Sequence, residues 1–297
     1  MASLETDNLA DEDLRKVTKP TPDKEALLCI VKHFFCKDPT NDSVEIIKQL
    51  DSYDDCNFLV QINGQNYLSK VHNGAESADY IRSNRTRSSK IDLSNAMYRH
   101  LLSNGIMTNG IVAVVRDSSE PLQIPPEYGN CPATFKVKEG DDVALGSLAV
   151  FSPKYSPRIL AVQLLTWIEG RTMSDAPSLP IETIADSGVF LGRLCQVLDT
   201  MPQPLPEAAM RYHAWDGRHS TDLRKYSPCI TDEKRRSMVE SIIDAFEKEV
   251  LPDASKFRVG LIQGDFNDAN IMLNATDLKV SGVIDFGDSV QRYVIIG

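Results

Sequence analysis

Apolar residues recur at helical spacing in four stretches of the chain, and each stretch predicts an amphipathic helix. The four stretches are residues 24–37, 90–104, 181–200 and 232–250. Asp23 precedes the first stretch as a helix start signal, and Gly105 follows the second as a natural stop. In the third stretch, Ile184, Val189 and Leu191 belong to the apolar side that we expect to face the core.

Residues 57–71 alternate between apolar and polar side chains, which is typical of half-buried strands. Asn63 and Gly64 stand between the two runs, and Asn-Gly at this place is a strong signal for a two-residue hairpin turn. Such a turn pairs Ile62 with Gln65. We therefore predict an antiparallel hairpin over this segment.

The predicted register also fixes which side chains share a face. It pairs Asn57 with Lys70, and since side chains alternate along strands, Leu59, Leu68 and Lys70 lie on one side. A lysine between two leucines on an inward face indicates that the ammonium meets an anion.

Further strands are predicted at residues 111–115 and 159–166, and a surface loop or extra hairpin between them at residues 117–157. From residue 259 on, short apolar runs alternate with polar turns. A strand-rich part followed by a helix-rich part predicts an α+β protein with two lobes. We expect a flexible N-terminal tail, an N-lobe and a C-lobe at residues 1–21, 22–166 and 167–297.

Composition narrows the classes of partner and compartment. The net charge of −10 disfavours nucleic acid as a partner. The sequence contains no run of about 18 apolar residues, so it predicts no membrane span. Six cysteines without a C-x-x-C pair indicate reduced thiols in a cytoplasmic protein and disfavour a zinc site.

The segment from Gln263 to Asn270, Gln-Gly-Asp-Phe-Asn-Asp-Ala-Asn, holds the most informative polar residues. Asp285 follows Asn270 by fifteen residues, and both lie where an apolar run meets a loop. Residues 274–278 form a predicted turn, so the flanking strands can pair and bring Asn270 and Asp285 to one end of a hairpin.

These residue types match the needs of phosphoryl transfer. A carboxylate, Asp265, can accept the proton of the attacking hydroxyl, and Asn270 with Asp285 offers the oxygen ligands that Mg²⁺ prefers. Lys70 can steady the phosphates of a nucleotide. Each aspartate alone also fits an ordinary turn residue, and it is the combination that favours chemistry.

Four segments carry a resemblance to a known family: residues 52–58 (SYDDCNF), 67–71 (YLSKV), 164–171 (LLTWIEGR) and 280–288 (VSGVIDFGD). They resemble the aminoglycoside phosphotransferase and choline kinase superfamily. The resemblance implies a two-lobed protein-kinase-like fold with a β-rich N-lobe and a helical C-lobe. It also implies an incomplete C-lobe, because family members continue with several helices where this chain ends at Gly297.

The resemblance implies nucleotide contacts from Lys70, Leu59, Leu68 and Leu165. In family members, a glutamate of the following helix pairs with the lysine that corresponds to Lys70. The matching residue here is Asp92, and Glu76 is a possible substitute. Alternatively, Asp92 is a carboxylate that favours the start of its helix. Gln263 stands where the family has histidine. Its amide can also donate and accept hydrogen bonds, so we expect weakened support of the loop and retained chemistry.

The implied function is transfer of the γ-phosphoryl group of GTP or ATP to a hydroxyl, with Mg²⁺, and 5-hydroxy-L-lysine is the expected acceptor. Choline or an aminoglycoside is an alternative acceptor within the class. A non-catalytic interaction module is the alternative outside it. A protein kinase is disfavoured because His-Arg-Asp and Ala-Pro-Glu are absent, and a P-loop kinase because the phosphate-loop motif is absent.

Overall fold

The computed structural model describes residues 11–83, 88–115, 122–124, 133–137, 142–156 and 158–294. These residues form two compact units. The first unit comprises residues up to 102 and residues 108–169, and the second comprises residues 103–107 and those from 170 onward.

The first unit contains a sheet and its covering helices. Its helices are α1 (Asp11–Val17), α2 (Lys24–Phe35), α3 (Gly74–Arg82) and α4 (Lys90–Ser103), with a 3₁₀ turn at Pro153–Tyr155. Its strands are β1 (Val44–Leu50), β2 (Cys56–Ile62), β3 (Gln65–Val71), β4 (Leu122–Ile124), β5 (Ala133–Val137), β6 (Ala144–Leu148) and β7 (Arg158–Thr166).

The seven strands form one antiparallel sheet in the order β1-β2-β3-β7-β6-β5-β4. The predicted hairpin is confirmed, because Ile62 pairs with Gln65 and the register continues along both strands. Asn63 and Gly64 have φ of 49° and 83°, the left-handed region that this two-residue turn requires.

Helix α2 covers one face of the sheet. Its buried Leu27, Ile30 and Phe34 belong to a single core cluster with Phe58 and Val60 of β2. The cluster explains why α2 forms: its apolar residues recur on one side, and Asp23 caps its first turn by accepting hydrogen bonds from backbone amides. A second cluster joins residues of α3 and α4 to the opposite side of the sheet, namely Tyr80, Ile91, Val143, Leu145 and Ala161.

The N-terminal segment differs from the expected flexible tail. Residues 11–17 form helix α1, and Thr18 is fully buried. The backbone amide of Gly74 donates to the carbonyl of Thr18 at 3.0 Å, and that of Thr21 donates to Ala149 at 2.9 Å. The segment from residue 11 to 21 is therefore tied to α3 and to the chain after β6; residues 1–10 lie outside the described part.

The strand predicted at residues 111–115 is wrong. Only Ile111 forms a β-bridge, with Leu165. The amide of Val115 instead donates to the carbonyl of Phe34, so the chain leaves the sheet for α2. The following segment contributes the described strands β4 to β6, while the rest of residues 116–141 lies outside the described residues.

The second unit combines helices with two small antiparallel sheets. Its helices are α5 (Ile181–Leu198) and α6 (Glu233–Ala245), with a π turn at Phe246–Val250 and 3₁₀ segments at Glu207–Met210, Gly217–Cys229 and Leu251–Lys256. Its strands are β8 (Arg171–Thr172), β9 (Val259–Ile262), β10 (Ile271–Leu273), β11 (Val280–Val283) and β12 (Val290–Tyr293), in the orders β11-β10-β8 and β12-β9.

Helix α5 forms as predicted, but its predicted core face is wrong in part. Leu194 and Leu198 are buried, whereas Ile184 and Val189 are 50% and 64% exposed. Helical spacing identifies an apolar side, but burial also needs a packing partner, and the described residues cover only the C-terminal half of this side. In the described part of the chain, no helix is both long enough and apolar enough to cross a bilayer.

Candidate active site

The first polar loop of the site, residues 263–270, follows β9 and is here called the catalytic loop. Gly264 has φ of +89°, a conformation that L-residues rarely adopt. A side chain at this position would also clash with the carbonyl oxygen of Asp288. Glycine is therefore required where the chain turns to present Asp265.

Two amides hold the carboxylate of Asp265. Asn267 donates to Oδ1 at 2.7 Å, and Asn270 donates to Oδ2 at 2.8 Å. Partial burial raises the pKa of Asp265, and the neighbouring charges of Asp288 and Asp285 add to this, against the lowering effect of the two amides. The carboxylate is thus oriented and is more basic than an ordinary aspartate.

The second loop, residues 284–288, follows β11 and is here called the metal loop. Ile271 pairs with Val283, and the amide of Ile284 donates to the carbonyl of Asn270 at 2.9 Å. The prediction that a hairpin brings Asn270 and Asp285 to one end is confirmed. Asp285 has φ of +57°, and its Oδ1 accepts from the amide of Gly287 at 3.0 Å.

Gln263 connects the two loops. Its Nε2 donates to the carbonyl of Asp285 at 2.5 Å, and its Oε1 accepts from the amide of Asp265 at 2.6 Å. The amide thus supports the loop by hydrogen bonding, while the expected weakening relative to histidine stays a prediction. A carboxamide carries both a donor group and an acceptor, so this one side chain satisfies both neighbours at once.

Two arginines that the sequence did not point to, the half-buried Arg211 and the buried Arg292, also hold the loops. Arg211 donates to the carbonyls of Gly287 and Ser289, both at 2.7 Å. Arg292 is 3% exposed and donates to the carbonyls of Gly264 at 3.1 Å and Trp215 at 2.8 Å. Backbone carbonyls leave no mark in a sequence, so no signal pointed to these partners.

Asp288 has a basic partner in the same unit. Its Oδ1 lies 3.0 Å from Nε2 of His213, and Nδ1 of that ring accepts from the amide of Trp215 at 3.3 Å. The second contact leaves Nε2 as the nitrogen that donates to Asp288. Asp288 is thereby held at the rim of the metal loop.

The oxygen atoms of the two loops fit a hard divalent cation. Within the described ranges, neither Asp265 nor Asp285 forms an ion pair with a basic side chain. Asn270 uses Nδ2 as a donor to Asp265, which leaves its Oδ1 as an available acceptor. Uncompensated carboxylate oxygens together with an amide oxygen are the kind of ligands that Mg²⁺ prefers.

The first unit holds the predicted nucleotide residues. Leu59 pairs with Leu68, and Leu68 pairs with Leu165, so the three leucines share one face with Lys70. The predicted common face of Leu59, Leu68 and Lys70 is confirmed. Nζ of Lys70 lies 2.9 Å from Oδ2 of Asp55, which precedes β2.

The structure does not place Asp92 against Lys70, and this part of the expectation is wrong. The carboxylate of Asp92 accepts from the amide and the hydroxyl of Ser89, at 2.7 and 2.8 Å. It thus serves as the helix-start carboxylate of α4, where an acidic side chain compensates free amides. Glu76, the substitute, lies 3.0 Å from Arg15.

A family model described as "Phosphotransferase enzyme family" matches residues 47–295. The chain belongs to this family. Among curated relatives, the phosphotransferase is 25% identical to the hydroxylysine kinase of Bos taurus over 264 residues, which is 85% of this chain and 62% of the relative. It is 24% identical to that of Danio rerio over 287 residues, 94% of this chain and 69% of the relative. The phosphotransferase chain therefore spans about two thirds of the length of these relatives.

Solved structures resemble the phosphotransferase in fold. The GDP complex of aminoglycoside 2'-phosphotransferase-IIIa matches with a TM-score of 0.56 at 12% identity, covering 91% of this chain and 74% of that chain. A complex of that type of enzyme with GDP and kanamycin matches with a TM-score of 0.54 at 13% identity, covering 90% and 73%. The predicted α+β, protein-kinase-like fold is confirmed.

Proposed function

We propose that this phosphotransferase is a small-molecule kinase that transfers the γ-phosphoryl group of GTP or ATP to the hydroxyl of 5-hydroxy-L-lysine. The observation that carries the proposal is the carboxylate of Asp265, oriented by the amides of Asn267 and Asn270 and made more basic than usual. The names of the curated relatives support hydroxylysine as the acceptor.

In the proposed reaction, Asp265 accepts the proton of the acceptor hydroxyl. The hydroxyl oxygen forms a bond to the γ-phosphorus while the bond to the β,γ-bridging oxygen breaks, and the nucleoside diphosphate leaves with that electron pair. A positioned general base contributes about 10²–10⁴ in rate. The raised pKa of Asp265 favours proton acceptance, since a stronger base gains more from the transfer.

The remaining residues bind and orient the nucleotide in this proposal. Lys70 contacts the phosphates, and Leu59, Leu68 and Leu165 provide an apolar surface for the base. Asn270 and Asp285 hold Mg²⁺, which when bound neutralises charge on the phosphate oxygens. Solved relatives in fold that contain GDP support a nucleotide as donor.

The acceptor is the part of the proposal with the closest competitors. Choline and aminoglycosides are also cationic alcohols, and one solved relative in fold contains kanamycin. Two curated relatives that cover 84–85% of this chain carry the hydroxylysine name, which favours that acceptor. The net charge of −10 is compatible with all three cations.

The test is release of GDP or ADP by the purified chain with Mg-GTP or Mg-ATP, with and without 5-hydroxylysine, choline or kanamycin. We expect release that requires hydroxylysine and is lost in Asp265→Asn. Asp268→Asn is the matched control, because Asp268 is an exposed carboxylate in the same loop and has no proposed role. Nucleotide binding by a folded chain without turnover would favour the alternative of a non-catalytic module.

A cytoplasmic location is also proposed. The five cysteines that the structure describes are free thiols, and burial raises the pKa of Cys36 and Cys56 to about 11. Reduced, unreactive thiols of this kind are typical of proteins in reducing compartments.

A further inference from the structure

The N-terminal segment reaches the turn between β1 and β2 through two basic side chains. Nζ of Lys19 donates to the carbonyls of Ser52 and Tyr53, at 2.6 and 3.0 Å. Arg15 forms an ion pair with Asp54 through Nε, and its Nη2 lies 3.0 Å from Oε1 of Glu76. One planar guanidinium thus joins this turn to helix α3.

The next residue of the turn contacts Lys70. Asp55 is 6% exposed, and while its Oδ2 pairs with Lys70, its Oδ1 accepts from the amide of Asn73 at 2.9 Å. Asp54 and Asp55 are adjacent in the chain, so the ion pair of Arg15 with Asp54 also limits where Asp55 can lie.

These groups form one ionic network, here called the lysine cluster, in which the carboxylates are buried and the basic side chains half-buried: Arg15, Asp54, Asp55, Lys70, Glu76 and Lys90. Its three carboxylates are matched by three basic side chains. Burial acts to raise the pKa of Glu76, but contacts with His72, Lys90 and Arg15 outweigh it and hold that pKa well below its ordinary value. In a buried network, removing one partner leaves an uncompensated charge, which is costly.

A metal site is the competing interpretation of this region. Asp55, His72 and Glu76 each place a possible ligand atom within 4.8 Å of the others. Asp55 is already paired with Lys70, however, and Glu76 with Arg15 and Lys90, the latter at 3.6 Å. Nε2 of His72 contacts Gln163 at 2.8 Å. Arg15, Lys70 and Lys90 thus already supply the positive charge that a bound cation would supply, so the geometry favours an ionic network.

We propose that Arg15 is a positioning residue for the nucleotide triphosphate and acts on it through Lys70. Without Arg15, Asp54 and Glu76 carry excess negative charge, which attracts the Lys70 ammonium and competes with the phosphates for it. The turn that carries Asp55 also loses its anchor to α3. This inference rests on the proposed function, in which Lys70 contacts the nucleotide.

The test is a double-mutant cycle read by binding of the fluorescent nucleotide mant-GTP to the full 297-residue chain. We expect Arg15→Ala to weaken binding about tenfold, which corresponds to about 1.4 kcal/mol. Lys70→Ala should weaken binding more. If Arg15 acts through Lys70, the double variant binds no more weakly than Lys70→Ala alone.

Arg99→Ala is the matched control, because Arg99 lies in the same unit and contacts Asp142 at 3.5 Å from an exposed position. We expect it to leave the affinity unchanged. Melting curves confirm that each variant is folded at the temperature of the titration. If Arg15→Ala does not fold, Arg15→Lys takes its place in the cycle, with an expected loss of about threefold because lysine lacks the second branch of the guanidinium.

The outcomes separate the inference from the proposed function. Unchanged affinity in Arg15→Ala, or a further loss in the double variant, overturns the role of Arg15 and leaves that of Lys70 intact. Equal affinity of the unmodified chain and Lys70→Ala overturns the nucleotide role of Lys70, and the inference with it.

Discussion

The two polar regions of the molecule treat charge in opposite ways. In the lysine cluster, buried carboxylates and half-buried basic side chains lie together and neutralise one another. In the catalytic and metal loops, Asp265 and Asp285 are held by neutral amides, and among the described residues neither has a basic partner. Glu76 and Asp285 therefore illustrate two uses of a carboxylate. One belongs to a completed structural network, and the other has negative charge available for a ligand.

The sharpest test of this comparison is Asp285→Asn. We expect Mg²⁺-dependent turnover with GTP and hydroxylysine to fall by about 10³-fold or more, since in the proposed function the uncompensated charge of this residue holds Mg²⁺. Stability should hold, because asparagine tolerates the left-handed backbone and can keep the hydrogen bond from Gly287. Steady-state kinetics and urea unfolding measure the two effects. A large loss of stability would contradict the comparison.

Glu76→Gln should show the reverse pattern. The substitution leaves Arg15 and Lys90 without their shared counter-charge in a buried place, and we expect it to lower the free energy of unfolding by about 3 kcal/mol. Because the pKa of Glu76 is depressed in the folded state, this stabilisation is present above the ordinary glutamate pKa and is lost as pH falls. Urea unfolding at pH 7 checks it, with Glu45→Gln on an exposed strand position as the control.

The balance of the lysine cluster should also appear in its pH dependence. Burial, together with the charge of Asp55, raises the pKa of Asp54 from 3.8 to about 6. Between pH 3.8 and about pH 6, folding therefore takes up a proton at Asp54. The stability linked to Asp54 is fully present below pH 3.8 and is lost as the pH rises to about 6. We expect the stability of the unmodified chain relative to Asp54→Asn to fall by up to about 3 kcal/mol over this range.

Unfolding titrations of both chains at several pH values measure this difference. Asp51→Asn serves as the control, because Asp51 is an exposed residue of the same unit. If the stability difference between the unmodified chain and Asp54→Asn does not change with pH, Arg15 fully compensates the charge of Asp54. Asp54 would then be an ionised, paired carboxylate like the others in the cluster.

The smallest expected effect concerns Mg²⁺ without nucleotide. At about five times its dissociation constant, Mg²⁺ should stabilise the chain by about 1 kcal/mol. This increment should disappear in Asp285→Asn and persist in Glu76→Gln, since of these two described regions the metal loop is the one that offers uncompensated carboxylate oxygens. Thermal melting with and without MgCl₂ measures it, and NaCl at equal ionic strength controls for screening. Persistence in Asp285→Asn would contradict the assignment of the metal loop.

Local patterns allowed much of the fold to be predicted. The Asn63-Gly64 turn fixes the register of its hairpin, and that register fixes the shared face of Leu59, Leu68 and Lys70. The juxtaposition of Asn270 and Asp285 followed in the same way from a short turn between two strands. These features depend on residues that are close in the chain, where backbone geometry leaves few alternatives.

Features that depend on distant residues could not be predicted in this way. Lys70 takes its acidic partner from the turn before β2, whereas the resemblance suggested Asp92, which instead caps α4. Which of these carboxylates pairs with Lys70 depends on how α3 and α4 pack, and a local sequence pattern does not predict that packing. The contact of Arg15 with Glu76 spans 61 positions and has no local signature at all.

The arginines behind the catalytic and metal loops have a consequence for mutational tolerance. Arg211 and Arg292 bind main-chain carbonyls in and near these loops. A third arginine, Arg218, does the same in β12, where its Nη2 donates to the carbonyl of Gln291 at 2.6 Å. Every amino acid carries the same carbonyl, so the identity of a held residue such as Gln291 does not affect its contact. A saturation mutagenesis experiment should therefore find wide freedom at Gln291 and almost none at Arg292, even though the two are neighbours in the chain.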